Sequence, residues 1–302
     1  MKLVILSRKA SLYSTRRLTQ AARKRGHTVR VMNPLDFTMV LSTRNPELYY
    51  KGRKVEKVDA VIPRIGPSIT FYGLAVVRQF EMMGVYCVNE SNPIARSRDK
   101  LRALQLLSRS DEIGVPATAI ARKPDYARRM LSHVGGAPAI VKLIEGSQGA
   151  GVVIVDSRQS FDSVIDAFHA IGQNILIQSF VKEAKGTDIR AFVVGRRVVA
   201  AMTRSAVEGE FRSNVHRGGS AARTKLPPEY RKAAVTAAHR MGLNVAGVDR
   251  LASDHGPMIM EVNSSPGLQG IERSSGTDVA DSIITYIERN ARPEKRKPAS
   301  GK

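Results

Sequence analysis

Asp249, Glu261 and Asn263 carry the strongest chemical signal in the chain. Asp249 and Glu261 sit on two apolar runs joined by a polar turn spanning 253–257, the pattern of a β-hairpin. Glu261 and Asn263 are two apart, so on a strand they point to one face. A hairpin that turns Asp249 to that face gathers three hard oxygen ligands. A small oxygen-only set suits magnesium held jointly by protein and nucleotide phosphates.

Such a site needs a phosphate-binding apparatus elsewhere in the chain. The loop Glu145-Gly146-Ser147-Gln148-Gly149-Ala150-Gly151 follows a strand that carries Lys142. Glycines let backbone N–H groups approach phosphate oxygens, and a nearby lysine supplies the countercharge. The Walker pattern is absent, because no Gly-Lys-Ser/Thr leads into a helix. The loop joins two strands and reads as a flexible hairpin lid, although a Gly-rich turn alone is more often a plain connection. Lys100 in isolation reads as a solvated helix residue, and Asp188 as a turn residue at a strand start. Arg212-Ser213-Asn214 and Arg217-Gly218-Gly219 form a cationic segment suited to clamping a carboxylate or phosphoryl group, or equally RNA phosphates. The six histidines show no zinc-ligand spacing.

The elements that must position these residues alternate in type. Apolar runs at 3–6, 28–32 and 59–62 read as strands, with a basic helix that ends over 18–25, stopped by Gly26, and a helix at 71–83, stopped by Gly84. This βαβ rhythm implies a small parallel sheet, with a hairpin turn at Tyr49-Tyr50-Lys51-Gly52-Arg53 inside it. A helix over 99–108 follows. Gly114 and Pro116, then Lys123-Pro124, mark a crossing into a second unit. Strands are expected at 139–143, 152–155, 174–181, 188–194 and 198–203, and helices at 160–171, 228–241 and 278–290. The polar stretch 205–223 has weak periodicity.

Composition limits the alternatives. A chain of 302 residues with 42% hydrophobic residues can bury a large core, which excludes a disordered protein. No apolar run is long enough to span a bilayer, and the opening residues read as a first strand rather than a signal peptide. Cys87 is the only cysteine, so no intramolecular disulfide forms; a buried thiol in a reducing cytoplasm is expected. The net charge of +21 favours polyanionic partners such as RNA, ribosomes or acidic peptides. The tail 291–302 is basic and rich in Pro and Gly, and is expected to be disordered.

The order of these pieces is more specific than any one of them. Lys100, Lys142, the Gly-rich loop, Asp188, a basic loop and Asp…Glu-x-Asn follow the order of ATP-grasp enzymes. Over nearly its whole length the chain resembles the RimK type of ATP-grasp ligase. The resemblance lies in Asp59-Ala-Val-Ile-Pro-Arg-Ile-Gly66, Ile69-Thr-Phe-Tyr-Gly73, Arg78-Gln-Phe-Glu-Met-Met-Gly84 and Arg98-Asp-Lys-Leu-Arg102. It continues in Phe211-Arg-Ser-Asn214, Arg217-Gly-Gly219 and Met260-Glu-Val-Asn263. Only the basic tail lies outside it.

The resemblance implies an α/β protein (α+β subdomains) with an ATP-grasp fold and an N-terminal parallel-sheet pre-ATP-grasp domain. It implies a βαβ domain over 1–95 and an ATP-grasp domain over 96–290. The latter divides into a central lid subdomain at about 115–182 and a C-terminal subdomain at about 183–290. Lys100 and Lys142 are implied to bind ATP phosphates, together with Gly146, Ser147, Gln148 and Gly149. Gln178, Ser179, Phe180 and Val181 are implied to form the adenine linker, and Asp188 to contact ribose. Arg212, Ser213 and Asn214 are implied to line the nucleotide and phosphoryl-transfer site, with Arg204 near the substrate. Asp249, Glu261 and Asn263 are implied to hold two magnesium ions, with Glu261 bridging and manganese able to substitute. Ser179 replaces an acidic residue, and Ser205 replaces an arginine of some relatives, which bears on nucleotide and acceptor choice.

The activity implied is ligation of glutamate to the C-terminal carboxylate of a ribosomal protein, or polyglutamate synthesis, through an acylphosphate. The implied partners are glutamate, a protein or peptide acceptor, the ribosome or acidic tails, and further copies of the chain in a homo-oligomer. No membrane is involved. Two other functions share some of the features: an ATP-grasp ligase acting on a biosynthetic carrier or a cofactor, and an RNA- or ribosome-binding protein with a nucleotide fold.

Overall fold

The computed structural model of the protein describes residues 1–43, 45–144, 151–184, 186–207, 219–254 and 256–291. The first part of the chain runs β1 (Lys2–Leu6), α1 (Tyr13–Lys24), β2 (Thr28–Met32), β3 (Phe37–Val40), β4 (Glu47–Tyr50), β5 (Arg53–Lys54), β6 (Ala60–Pro63), α2 (Thr70–Met82) and β7 (Tyr86–Cys87). The parallel sheet has the order β2-β1-β6-β7. Leu3, Val4, Ile5, Val61 and Ile62 are buried, as expected for strands covered on both faces. The hairpin expected inside this sheet belongs instead to a separate antiparallel sheet, β3-β4-β5. Lys51 (φ 50°) and Gly52 (φ 76°) make its two-residue turn, and a tight antiparallel connection cannot join parallel neighbours.

The chain continues through α3 (Ser91–Arg98), α4 (Lys100–Leu107), β8 (Thr118–Ala121), α5 (Pro124–Met130), β9 (Ala139–Leu143), β10 (Val152–Val155), α6 (Arg158–Ala170) and β11 (Ile175–Ser179). Asp99 separates α3 from α4 and caps the latter by accepting from Arg102 N at 3.0 Å, which sets Lys100 on the first helical position. The central antiparallel sheet, β10-β9-β11-β8, packs α5 and α6 on one face around Val141, Phe161, Ile165, Ile175 and Ile177. Lys142 and Gln178 have the opposite parity on their strands and so face away from those helices.

The last part contains β12 (Thr187–Val194), β13 (Arg197–Ser205), β14 (Ser220–Arg223), α7 (Pro228–Met241), β15 (Val245–Leu251), β16 (Met258–Asn263), α8 (Gln269–Ser275) and α9 (Val279–Asn290). They form a five-stranded antiparallel sheet, β14-β13-β12-β15-β16. One face packs Ala191, Val193, Ala246 and Val248 against Ala234, Ala237 and Met241 of α7. The other face joins the N-terminal sheet in one core, where Leu3, Ile5 and Leu18 meet Phe192, Val245, Ile271, Ile283 and Ile287. Buried Asn89 reinforces that junction. Its amide donates to Val245 O at 2.7 Å and Ser264 O at 3.1 Å, and accepts from Asn244 N and Val245 N. The central sheet has its own core, whereas the N-terminal and C-terminal sheets share theirs.

No helix among the described residues is long and apolar enough to cross a membrane. Cys87 is buried.

Candidate functional site

The charged residues of the C-terminal sheet form an alternating row. Arg190 on β12 faces Asp249 on β15, and Asp249 faces Glu261 on β16. One pleat along, Asp188 on β12 faces Arg204 on β13. Since side chains two apart share a face, Asp188, Arg190, Arg204, Asp249, Glu261 and Asn263 all belong to one surface. A bulge after Asp249 shifts the β15–β16 register beyond the site.

Asp249 is almost fully buried and held by both arginines. Arg190 Nε donates to Oδ1 at 2.6 Å and Arg190 NH2 to Oδ2 at 2.5 Å; Arg204 NH2 donates to Oδ2 at 2.9 Å. Arg204 also grips Asp188 with two bonds, Nε to Oδ1 at 2.6 Å and NH2 to Oδ2 at 2.8 Å. Burial pushes the Asp249 carboxyl up, but the two guanidiniums outweigh it and hold it below its ordinary value. Burial likewise opposes the charge on Arg204, and Asp249 and Asp188 outweigh it, so its pKa rises. These are charge-assisted, bidentate contacts of the strong kind.

Glu261 differs. Its side chain is exposed to solvent, yet Asp249, Arg190 and Lys100 lie close enough to act on its carboxylate. Burial, and then the negative charge of Asp249, raises its carboxyl pKa; Arg190 and Lys100 pull the other way. Asn263 is half-buried, and its Oδ1 accepts from Ser265 N at 3.1 Å. Among the described residues no three His, Cys, Asp or Glu side chains converge as a metal cluster. The set here is two carboxylates and a carboxamide. Their chemistry fits magnesium, because all donors are hard oxygens; Asp249 spends three of about four lone-pair positions on its arginines and keeps about one for an ion.

Two lysines approach the same carboxylate from other elements. Lys142 Nζ donates to Gln178 Oε1 at 2.6 Å, and Gln178 Nε2 to Thr118 Oγ1 at 2.9 Å, across β9, β11 and β8. Burial pulls the Lys142 pKa down to about 8; Glu261 opposes this and Lys100 adds to it. Lys100 Nζ donates to Leu143 O at 3.2 Å, linking α4 to the central sheet, and burial lowers its pKa too. Ser179 ends β11, with its N donating to Ala117 O at 2.9 Å, and Phe180 and Val181 follow as half-buried residues.

The antiparallel pair β9–β10 brackets the Gly-rich loop, with Lys142 opposite Val152. Gly146, Ser147, Gln148 and Gly149 themselves lie outside the described residues, as do Arg212, Ser213, Asn214, Arg217, Gly218 and the tail beyond Ala291.

Arg190 was not among the residues singled out from sequence. The signal was present, since it lies two residues after Asp188 on one strand and must share its face. Arg64 and Arg98 stood only within the longer stretches 59–66 and 98–102.

A central hairpin sheet facing an antiparallel sheet that carries Asp…Glu-x-Asn, with lysines from both sides, defines an ATP-grasp protein. Residues 97–287 match the RimK-like ATP-grasp domain and residues 1–94 the RimK PreATP-grasp domain. The chain belongs to the RimK-like ATP-grasp family and is an ATP-dependent ligase. It is 59% identical over 295 residues, 98% of each chain, to a protein of Thioalkalivibrio sulfidiphilus named "Probable alpha-L-glutamate ligase". A protein of the same name from Aliivibrio fischeri is 57% identical over 297 residues, 98% of each chain. Among solved structures, the ATP-grasp ligase PsnB complexed with a minimal precursor, Mg and ADP aligns with a TM-score of 0.75 at 20% identity, covering 96% of this chain and 98% of that one. A RimK domain protein from Sphaerobacter thermophilus aligns at 0.68 and 20% identity, covering 95% and 100%. These structural likenesses concern the fold.

Proposed function

We propose that the protein joins glutamate to the C-terminal carboxylate of a protein or peptide, at the cost of ATP. The observation that carries this reading is the Arg204–Asp188 and Arg190–Asp249–Glu261 row with Lys142 and Lys100 above it. A carboxylate is a poor electrophile, since direct attack by an amine would expel oxide. In the proposed route an acceptor carboxylate oxygen attacks the γ-phosphorus of ATP, and the bond to the leaving oxygen of ADP breaks. The glutamate amine then attacks the acylphosphate carbonyl carbon, loses a proton, and inorganic phosphate departs with the C–O bond electrons. The products are an amide, ADP and phosphate.

The chain's own residues position and neutralise. Lys142 and Lys100 offer positive charge to nucleotide phosphates, and Gln178 aims Lys142. The backbone of Ser179, Phe180 and Val181 faces the adenine in this reading. Arg204 supplies positive charge beside Asp249, and its grip on Asp188 keeps its fork oriented. That grip makes Asp188 a positioning residue before it is a ribose contact. Asp249, Glu261 and Asn263 would hold magnesium, two ions in our reading with manganese able to replace them, which neutralises phosphate charge when bound. Catalysis is positioning and electrostatic stabilisation, with no side-chain nucleophile.

The relatives' names support glutamate as the added amino acid, and solved neighbours of the same fold are complexed with precursor, leader and core peptides. The net charge of +21 supports an acidic or ribosomal acceptor. In this reading the glutamylated product serves again as acceptor, and the chain works in the cytoplasm as a homo-oligomer. The test follows ADP release and product mass with ATP, magnesium and each amino acid, with and without an acceptor peptide. Glutamate-dependent ADP release with a mass gain on the acceptor is expected. Glu261→Gln should keep nucleotide-free stability and lose at least about 100-fold in rate, as for loss of a charge that orients phosphoryl transfer. Ligation at near wild-type rate in that variant would remove Glu261 from the site.

A further inference from the structure

Arg64 follows β6 at the carboxyl end of the parallel sheet. The chain leaves β1 for β2 on one side and returns through β6 on the other, so the strand order reverses between the parallel neighbours β1 and β6. Ligands of open parallel sheets bind outside the strand carboxyl ends at such a point. Arg64 is anchored there by its backbone N, which donates to Leu6 O at 2.9 Å. Its NH1 donates to Pro266 O at 2.8 Å. Arg98, the last residue of α3, arrives from the other side, and its NH2 donates to Ile65 O at 2.5 Å.

Among the described residues neither guanidinium forms an ion pair, and the hydrogen-bond partner of each is a backbone carbonyl. Arg98 Nε and the hydroxyls of Ser264 and Ser265 are buried and have no hydrogen-bond partner there. Burial pushes both arginines' pKa values down, Arg64 to about 10, with the charge of Arg98 adding to the effect on Arg64. Two neighbouring cations and orphan donors are costly unless an anion completes them. The place is close to the proposed magnesium oxygens. Pro266 lies three residues beyond Asn263, and a Cβ on Gly247 of β15 would come within 2.8 Å of Pro266 and 3.6 Å of Arg190. Arg98 also feels the charge of Glu261.

We propose that Arg64 and Arg98, with the Ser264 and Ser265 hydroxyls, bind the side-chain carboxylate of a glutamyl substrate and so set the preference for glutamate. The inference rests on the ligase reading above. Planar forks match a carboxylate in two-point contact, whereas the lysines that face the nucleotide come from α4 and the central sheet. Two glutamyl groups share this chemistry: free glutamate, and the acidic end of the acceptor.

The experiment compares wild type with Arg64→Met, Arg64→Lys and Arg98→Met in the full chain. KM is measured separately for glutamate and for an acceptor peptide, with glutamine as the neutral isostere of glutamate. ADP affinity and melting temperature identify folded variants. Losing a charge-assisted contact should raise the KM for glutamate about 10- to 100-fold and collapse the preference for glutamate over glutamine, with ADP affinity unchanged. Arg64→Lys, which keeps the charge and loses the fork, should fall between. A rise confined to the acceptor KM would assign the carboxylate to the acceptor and support the same subsite. Folded variants with both KM values and the glutamate preference intact overturn the inference. A wild-type protein that releases no ADP with glutamate overturns the ligase reading instead.

Discussion

Two pairs of buried or half-buried arginines lie around Glu261, and their surroundings are opposite. Arg190 and Arg204 sit mid-sheet, opposite carboxylates, with five guanidinium-to-carboxylate hydrogen bonds between them. Their charge is reinforced, and the pKa of each is raised against the pull of burial. Arg64 and Arg98 sit at element ends, opposite carbonyls, and the pKa of each is lowered. Strand register explains the first pair, because cross-strand neighbours are set by the fold itself. Nothing in the described chain completes the second pair. The contrast separates cations that hold the site together from cations that await a ligand.

The comparison breaks most visibly at Arg204. Arg204→Met would leave Asp188 without its bidentate partner and remove one of two cations from Asp249, both carboxylates being buried. Removing one member of a buried ion pair costs about 3–5 kcal/mol. Urea unfolding should show that loss, and Asp188→Asn combined with Arg204→Met should recover part of it through coupling. A single variant within about 1 kcal/mol of wild type would mean that the pair is held no more firmly than a surface salt bridge.

Lys142 lies between the two extremes, with one neutral partner in Gln178 and a helpful carboxylate in Glu261. Its pKa near 8 places a titration within reach of ordinary buffers. The sign follows from the charge: below that pH the lysine is protonated and attracts phosphate, and above it the free protein must take up a proton to do so. ADP affinity should therefore be flat below pH about 8 and weaken by up to about tenfold per pH unit above it. Lys142→Met should bind ADP weakly with that step absent. The same step in the variant would assign the titration to another group.

Much of this site could be read from sequence where one strand carries the whole pattern. Glu261 and Asn263 share a face through their spacing, and the Asp249 hairpin follows from two apolar runs and a turn. Strands at 28–32, 139–143 and 152–155 and the helix at 228–241 appear with the expected bounds. Short elements were missed. β8 and β14 have four residues each, and α3, α5 and α8 have seven or eight, too few for a hydrophobic period to stand out. The Arg64–Arg98 pair could not be read at all. It joins the end of one strand to the end of a helix and to the loop after Asn263, a meeting that depends on the shared core of two sheets. The Arg204–Asp188 pair likewise depends on a register that neither strand specifies alone.

The smallest expected effect is the most discriminating. Arg64→Met removes one hydrogen bond to the Pro266 carbonyl, but also a charge that burial and Arg98 both disfavour. These terms oppose each other, so stability should stay within about 1 kcal/mol of wild type, against the several lost at Arg204. Ligand linkage then exposes the difference. If the pair binds glutamate, adding glutamate at about 100 times its Kd to the wild-type complex with ADP and magnesium should raise unfolding free energy by about 2.7 kcal/mol. The Arg64→Met protein at the same glutamate concentration should gain far less. Equal gains in both proteins would place glutamate elsewhere, and a loss as deep as that of Arg204→Met would show that Arg64 holds the fold rather than a ligand.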